Sequence, residues 1–379
     1  MFSAALAGAA IPSPCGGLIV AGRPLADYPM AHPVTSTSIQ AADPTRSGLA
    51  LGRLARRPES GSFLGLVAVL LFFGLFGGSG FLSAAGTASW LNIASEIGII
   101  AMPIGLLMIA GELDISVGAG IPAASLTAAI ISGHYGLPDW LGITAALGLG
   151  LAVGLLNGLF VTRTTIPSLI ITIGTMFLTM GLTLGLTVKI AGSTGVSLVP
   201  DPLTKAIFGD YLGGMFQVTI LWWVLFVIGL FWLLHISPLG NWIYALGGDK
   251  ESARNVGIPT KRLTIGLFML SGFSAAFVGV SEVMVYQSAQ VLAGQSFIFN
   301  SIMCVVIGGV LLTGGFGSII GIVFGTITFS IVNQGIYFTS LDPNIGSIII
   351  GALLLIAVLT NDTFRQLALS YSSKRGKQP

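Results

Sequence analysis

Long intervals without a charged residue constrain this chain more than any other feature of its sequence. No Asp, Glu, Lys or Arg lies between Glu59 and Glu96, Asp114 and Asp139, Asp139 and Arg163, Arg163 and Lys189, or Asp210 and Asp249. The same holds from Arg262 to Glu282, from Glu282 to Asp342 and from Asp342 to Asp362. A bilayer core about 30 Å thick takes roughly 20 apolar residues per spanning helix, and these intervals supply them. The whole chain is 8% charged, where a soluble domain carries about 25%. So few charges cannot cover a folded surface in water, which excludes a soluble enzyme and a disordered chain. A nucleic-acid binder is excluded as well, because it needs a basic stripe. The continuous apolar runs also argue against a transmembrane β-barrel, whose strands alternate with period two.

The expected fold is therefore an all-α integral membrane protein of about ten transmembrane helices. The spans fall near 63–82, 93–111, 115–132, 140–162, 168–189, 217–236, 263–286, 299–313, 318–338 and 345–361. The second, third and eighth are short or broken by Gly and Pro. With the N-terminus inside, fourteen of the Lys and Arg residues fall on the cytoplasmic side, against Lys189 and Lys205 outside. That asymmetry is the one expected of a multi-pass protein with both termini cytoplasmic. Residues 1–61 are rich in Pro, Ser, Ala and Thr and read as a disordered cytoplasmic leader. Met1 to Gly22 lack the basic n-region of a signal peptide, and Met30 offers a second start. Residues 62–362 form the membrane domain, with its largest cytoplasmic loop at 237–262, and 363–379 form a basic cytoplasmic tail.

That loop is the most informative stretch. Asp249 suits an N-cap, and Gly257 followed by Pro259 suits a stop, predicting a helix of about two turns between them. The helix is polar apart from Ala253 and Val256. It is either an ordinary solvated loop helix or a rigid knob offered to a cytoplasmic partner.

The run from Gly240 through Ala245, Gly247, Ala253, Arg254 and Gly257 to Ile258 resembles the coupling loop of permease subunits of monosaccharide ABC importers, the ribose, xylose and galactose type. Three more stretches resemble that family in the same order. They are Gly111-Glu-Leu-Asp114-Ile-Ser116-Val-Gly118; Asn157-Gly158 with Thr162, Ile166-Pro167 and Thr172-Ile-Gly174-Thr175; and a glycine-rich close from Val306 through Gly314 and Gly321 to Asn333-Gln334-Gly335. The likeness covers roughly residues 62–362 and implies a type II importer-like permease. It also implies two ATP-binding subunits, a second permease copy (a homodimer), an extracytoplasmic sugar-binding protein and residence in a bacterial inner membrane. ATP would be used by the partner subunits, with no cofactor in this chain. The loop residues Gly240, Ala245, Gly247, Asp249, Ala253, Arg254 and Gly257 would then receive the motion of the ATPase. Two departures, Glu112 in place of a usual Gly and Phe299-Asn300-Ser301 in place of an acidic residue, would bear on which sugar passes.

The residues also support readings of their own. Asp114 and Ser116 suit a helix start, where they would satisfy free N–H groups; Asp114 could instead line the pathway. Gly150, Gly154 and Gly158, and Gly317, Gly321 and Gly325, have the spacing that lets helices approach closely. Asn157 and Asn333 each precede a glycine late in a span, with Pro167 and Pro343 about ten residues on, hinting at an inverted repeat. Asn157, Asn300, Asn333 and Gln334 are candidates for the translocation path because they are polar within apolar spans. Glu282 reads as a snorkelling residue or a contact for a binding protein. An ion-coupled secondary carrier is the alternative function, disfavoured by a deep interior that reads as almost free of charge, with Glu112, Asp114 and Glu282 near span ends. No Gly-x-x-x-x-Gly-Lys-[Ser/Thr] phosphate loop is present, and no nucleophile–base pair can be assigned to one side of the membrane. His32, His134 and His235 lack metal-ligand spacing, and Cys15 and Cys304 make no disulfide framework.

Overall fold

A computed structural model describes residues 59–339 and, beyond them, the isolated positions 342, 348, 351–352 and 355. The expected leader, basic tail and tenth span lie outside the described residues or almost wholly so. The main helices are α1 (Ser60–Phe76), α2 (Ala84–Ile109), α3 (Val117–Ala128, continued by a wider turn over Ala129–His134), α4 (Asp139–Arg163) and α5 (Ser168–Ala191). They continue with the short α6 (Pro202–Phe208), then α7 (Thr219–Phe231, continued to Ile236), α8 (Pro238–Gly248), α9 (Lys250–Asn255), α10 (Thr260–Tyr286), α11 (Gln295–Ile307) and α12 (Ile319–Gly335). Two small antiparallel ladders complete it: β1 (Gly195–Ser197) pairs with β4 (Ser288–Gln290), and β2 (Tyr211–Leu212) with β3 (Phe216–Gln217).

Seven helices among the described residues are long and apolar enough to cross a membrane, and α1 and α11 are shorter apolar helices. The expected first span is cut at Gly77 and Gly78, the latter in the left-handed region at φ +65° that glycine tolerates. The second begins nine residues earlier than expected, since 84 replaces 93, because Ser83 caps it by accepting from the Gly86 N–H at 3.1 Å. It then runs 26 residues through Pro103, about 39 Å at 1.5 Å per residue. The expected eighth span shrinks to the 13 residues of α11. Gly308 and the left-handed Gly309 end it, and the turns that follow contain Gly314, Gly315 and Gly317.

Helix α2 is the centre of the molecule. Nearly every residue from Ala94 to Ile109 is buried, and α7, α10, α11 and α12 pack around it. The glycine spacings find their partners in α10 and α11. A β-carbon at Gly150 would overlap the Gly272 carbonyl, one at Gly154 the Phe268 carbonyl, and one at Gly325 the Cys304 carbonyl. Helix α5 lies at the periphery, presenting Ile170, Phe177, Leu178 and Leu182 outward.

One end of the molecule gathers the α2–α3 turn, α8, α9 and the start of α10. The other gathers both ladders, α6 and the end of α10. Between α10 and α11 the chain pairs as β4 and then reaches Gly294, where a β-carbon would overlap the Gly118 carbonyl. Helix α11 therefore starts beside the first turn of α3 and not at the far end of the bundle.

A candidate coupling surface

Ser237 leaves the helical conformation at φ −80°, ψ 156°, and Pro238 opens α8, whose fixed backbone torsion suits a first helical position. Gly240, Ile243 and Leu246 are its buried residues, three apart and so on one face. Gly240 is required by contact: a β-carbon there would overlap the Leu234 carbonyl. The Tyr244 hydroxyl donates to the Gly317 carbonyl at 2.7 Å, and burial pushes its phenol up to about 12, so it stays a donor.

The chain then breaks at Asp249, whose Oδ1 accepts from the Ser252 N–H at 2.6 Å. That hydrogen bond holds its carboxyl below the usual carboxylate range. Asp249 is thus the N-cap of α9, as its position in the sequence predicts. The predicted stop also forms. Gly257 sits at φ +88°, its N–H donates to the Arg254 carbonyl at 3.0 Å, and the Ile258 N–H donates to the Ala253 carbonyl at 3.1 Å. This pair of bonds is a Schellman closure. Ala253 is buried, whereas Arg254 and Val256 are exposed, so α9 is anchored by one small residue and offers a mixed polar and apolar surface outward.

The seat of the preceding helix α8 is built from two glycine-bearing turns. The Gly315 N–H donates to the Ile109 carbonyl at 2.8 Å, and Gly111, Gly247 and Gly314 meet there backbone to backbone. Beside them Lys250 Nζ lies 2.7 Å from Glu112 Oε1. Glu112, one of the two departures from the family pattern, ties α9 to the α2–α3 turn.

The same turn is pegged from within. Asp114 Oδ1 accepts from the Ser116 N–H at 2.9 Å and the Ser116 hydroxyl at 2.6 Å, and Oδ2 accepts from the Ser271 hydroxyl at 2.8 Å. Asn157 Nδ2 donates to Ser116 Oγ at 2.8 Å. The Leu113 N–H donates to Ser168 Oγ at 3.1 Å, and the Thr172 hydroxyl donates to the Leu113 carbonyl at 3.4 Å. Asp114, Asn157 and Ser271 are fully buried. Ser116 occupies the N-cap position of α3 without a side-chain cap bond of its own, while Asp114 takes up the free Ser116 N–H, and the same residues enter a network joining α3, α4, α5 and α10. Ser271 and Ser168 are members that sequence reasoning missed, and only their lying among apolar residues on a span could have flagged them.

The remaining candidates lie apart. Asn300 is half-buried on α11, and Gln334 Nε2 donates to Asn333 Oδ1 at 2.9 Å near the end of α12. The expectation of an interior almost free of charge is corrected: Glu96 sits midway along α2 and is 6% exposed, and Glu282 is half-buried within α10. The sequence marks Glu96 only as the end of a charge-free interval and Glu282 as a snorkelling residue or a contact for a binding protein, because periodicity cannot show which helix a lone carboxylate turns toward.

A family described as the branched-chain amino acid transport system / permease component matches residues 86–358. The chain belongs to that family. Among its relatives, the fructose import permease protein of Rhizobium meliloti is 29% identical over 82% of this chain and 87% of its own. The autoinducer 2 import system permease protein of Klebsiella pneumoniae is 31% identical over 69% and 79%. An inner membrane ABC transporter permease protein of Escherichia coli strain K12 is 32% identical over 74% and 84%. The protein is a membrane-embedded transport permease, not an enzyme. The match runs from the first turn of α2 to beyond α12, so the candidate coupling surface and the Asp114 network lie within the matched region.

Proposed function

We propose that this permease is the membrane subunit of an ATP-driven importer of a small neutral sugar. It works with two ATP-binding subunits on the cytoplasmic side, a second copy of itself and an extracytoplasmic sugar-binding protein. The observation that carries the reading is the α8–α9 segment, in which Gly247 of α8 packs on the end of α2 and the capped helix α9 is tied to the α2–α3 turn by Lys250 and Glu112. That turn is bonded through Leu113, Asp114 and Ser116 to Ser168, Asn157 and Ser271, so a push on the α8–α9 segment reaches three further helices. The name of the fructose relative and its coverage support a sugar as the substrate class. The basic loop 237–262 supports cytoplasmic termini and an inner-membrane location, and the paired Asn-Gly…Pro segments support an inverted repeat within a ten-span, type II-like architecture. In the mechanism, closure of the ATPase pair moves α9, and the two permeases rock about a central path to which Asn300, Asn333 and Gln334 contribute.

An ion-coupled carrier gains one point from Glu96 and Glu282, and the same assay separates the two. Purified permease is reconstituted with the host's candidate ATPase and binding protein, with the natural loop or with residues 249–256 replaced by Gly and Ser. ATP-dependent sugar uptake that is lost with the replaced loop supports the importer. Uptake by the permease alone, driven by an ion gradient, refutes it.

A further inference from the structure

The corner between α4 and α5 holds an open apolar groove of about 300 Å³ that the coupling surface does not use. Phe160 and Thr164, one turn apart at the end of α4, line one side. Ile166 and then Ile170, Gly174 and Leu178, at four-residue steps along one face of α5, line the other. Phe160, Ile166, Ile170 and Leu178 are about half exposed or more, and a β-carbon at Gly174 would meet nothing within 4 Å. The Leu113 N–H donates to Ser168 Oγ at 3.1 Å, which fixes the start of α5 at the end of the molecule that carries the coupling surface. Both helices are long enough to span, so the groove opens at the membrane boundary and runs inward. From Ser168 to Leu178 is about 15 Å at 1.5 Å per residue, half of a hydrocarbon core about 30 Å thick. The groove therefore has the length of one leaflet.

Positive charge collects at its mouth. Arg163 is exposed and directly precedes Thr164. Helix α10 runs antiparallel to α4: β-carbons at Gly150, Gly154 and Gly158 would meet Gly272, Phe268 and Ile265 in turn. That register carries Lys261 and Arg262, both exposed, to the level of Val161 and Thr162, beside Arg163. Among the described residues the only ion pair joins Lys250 to Glu112, so none of these three cations has a carboxylate partner there. Asp114, on the inner side of the corner, is fully buried and engaged by Ser116 and Ser271. Helix α5 begins without a side-chain cap, and the positive end of its dipole adds to the same mouth. A second copy packed here about an axis normal to the membrane would set cation against cation, whereas an anion would be complementary.

We propose that this corner binds an anionic phospholipid, with the phosphate against Arg163, Lys261 and Arg262 and an acyl chain in the groove along α5. Basic pockets at the ends of membrane helices recognise such headgroups, and the apolar groove supplies the contact that a free phosphate could not use. The site stands whether or not the cargo is a sugar. Because Ser168 and Thr172 at the start of α5 bond the Leu113 backbone, the bound lipid braces α4 and α5 where they hold the α2–α3 turn.

The test titrates delipidated full-length permease with phosphatidylglycerol or phosphatidylcholine, with and without inorganic phosphate, and counts bound lipid by native mass spectrometry. Wild type is compared with Gly174→Leu, which fills the groove at a position with no neighbour to displace, and with Arg163→Gln, whose exposed side chain makes it safe for folding. The expected result is a phosphatidylglycerol site that prefers this lipid to phosphatidylcholine, resists inorganic phosphate and is lost in Gly174→Leu. Arg163→Gln should weaken it about fivefold, the worth of one basic residue at a lipid surface. Equal binding of the two lipids, binding unchanged in both variants, or displacement by inorganic phosphate overturns the proposal. So does a disulfide-linked dimer formed by Leu178→Cys in native membranes, because a second copy would then cover the groove.

Discussion

Two adjacent glycines at the end of α8 give the sharpest test of how the coupling surface is assembled. A β-carbon at Gly247 would lie 2.6 Å from the Gly315 nitrogen and 2.9 Å from the Ile109 carbonyl carbon, and would overlap the Ile109 oxygen outright. All of these are backbone atoms, and Ile109 and Gly315 are already hydrogen-bonded to one another at 2.8 Å, so no flexible side chain can give way. At Gly248, one residue on, nothing lies within 4 Å of the added carbon. Forcing extra volume into a packed contact costs about 1–3 kcal/mol. Replacing an unhindered helical glycine by alanine gains roughly 0.5–1 kcal/mol, an upper figure at a helix end. Gly247→Ala and Gly248→Ala should therefore differ by about 2 kcal/mol or more, roughly a 30-fold change in the equilibrium between seated and unseated α8. Protease accessibility of loop 237–262 in the reconstituted permease measures this, with ATP-dependent uptake alongside. Gly247→Ala should expose the loop and depress uptake, while Gly248→Ala leaves both unchanged. Equal behaviour of the two variants would refute the packing of α8 on the Ile109–Gly315 contact.

Four further outcomes are expected. A double-mutant cycle of Glu112→Gln and Lys250→Met should give a coupling of only about 0.5–1 kcal/mol, because Lys250 is half exposed and the pair is screened, and it should shrink at high salt; a coupling independent of ionic strength contradicts the pairing. Ser271→Ala leaves Asp114 Oδ2 without its donor in a buried site, so unfolding in detergent should become easier by about 1–3 kcal/mol, whereas Asn300→Leu should impair uptake without lowering stability. Since its hydrogen bond to Ser252 lowers the Asp249 carboxyl in the folded state, the cap contributes fully above the unfolded carboxylate range and is lost as pH falls through the lowered value. The difference between wild type and Asp249→Ala in amide exchange over α9 should therefore be present at neutral pH and vanish in acid.

Charge-free intervals were enough to reveal a helical membrane protein, because hydrocarbon excludes ionised groups that face lipid without a partner. The α9 cap and stop were equally legible, since Asp249 and Gly257 act within a few residues of themselves. The glycine spacings announced close packing without naming the partner. Tertiary structure decided that Gly150 and Gly154 meet α10 and that Gly325 meets α11. It also decided that Asp114, Ser116, Asn157 and Ser271, which come from three separate stretches, form one buried network. Glu112 finds Lys250 across 138 residues of chain, and Glu96 turns inward to be buried, in both cases because a side chain's surroundings depend on how helices cross. Periodicity fixes which residues share a face of one helix; only the packed bundle fixes what that face meets.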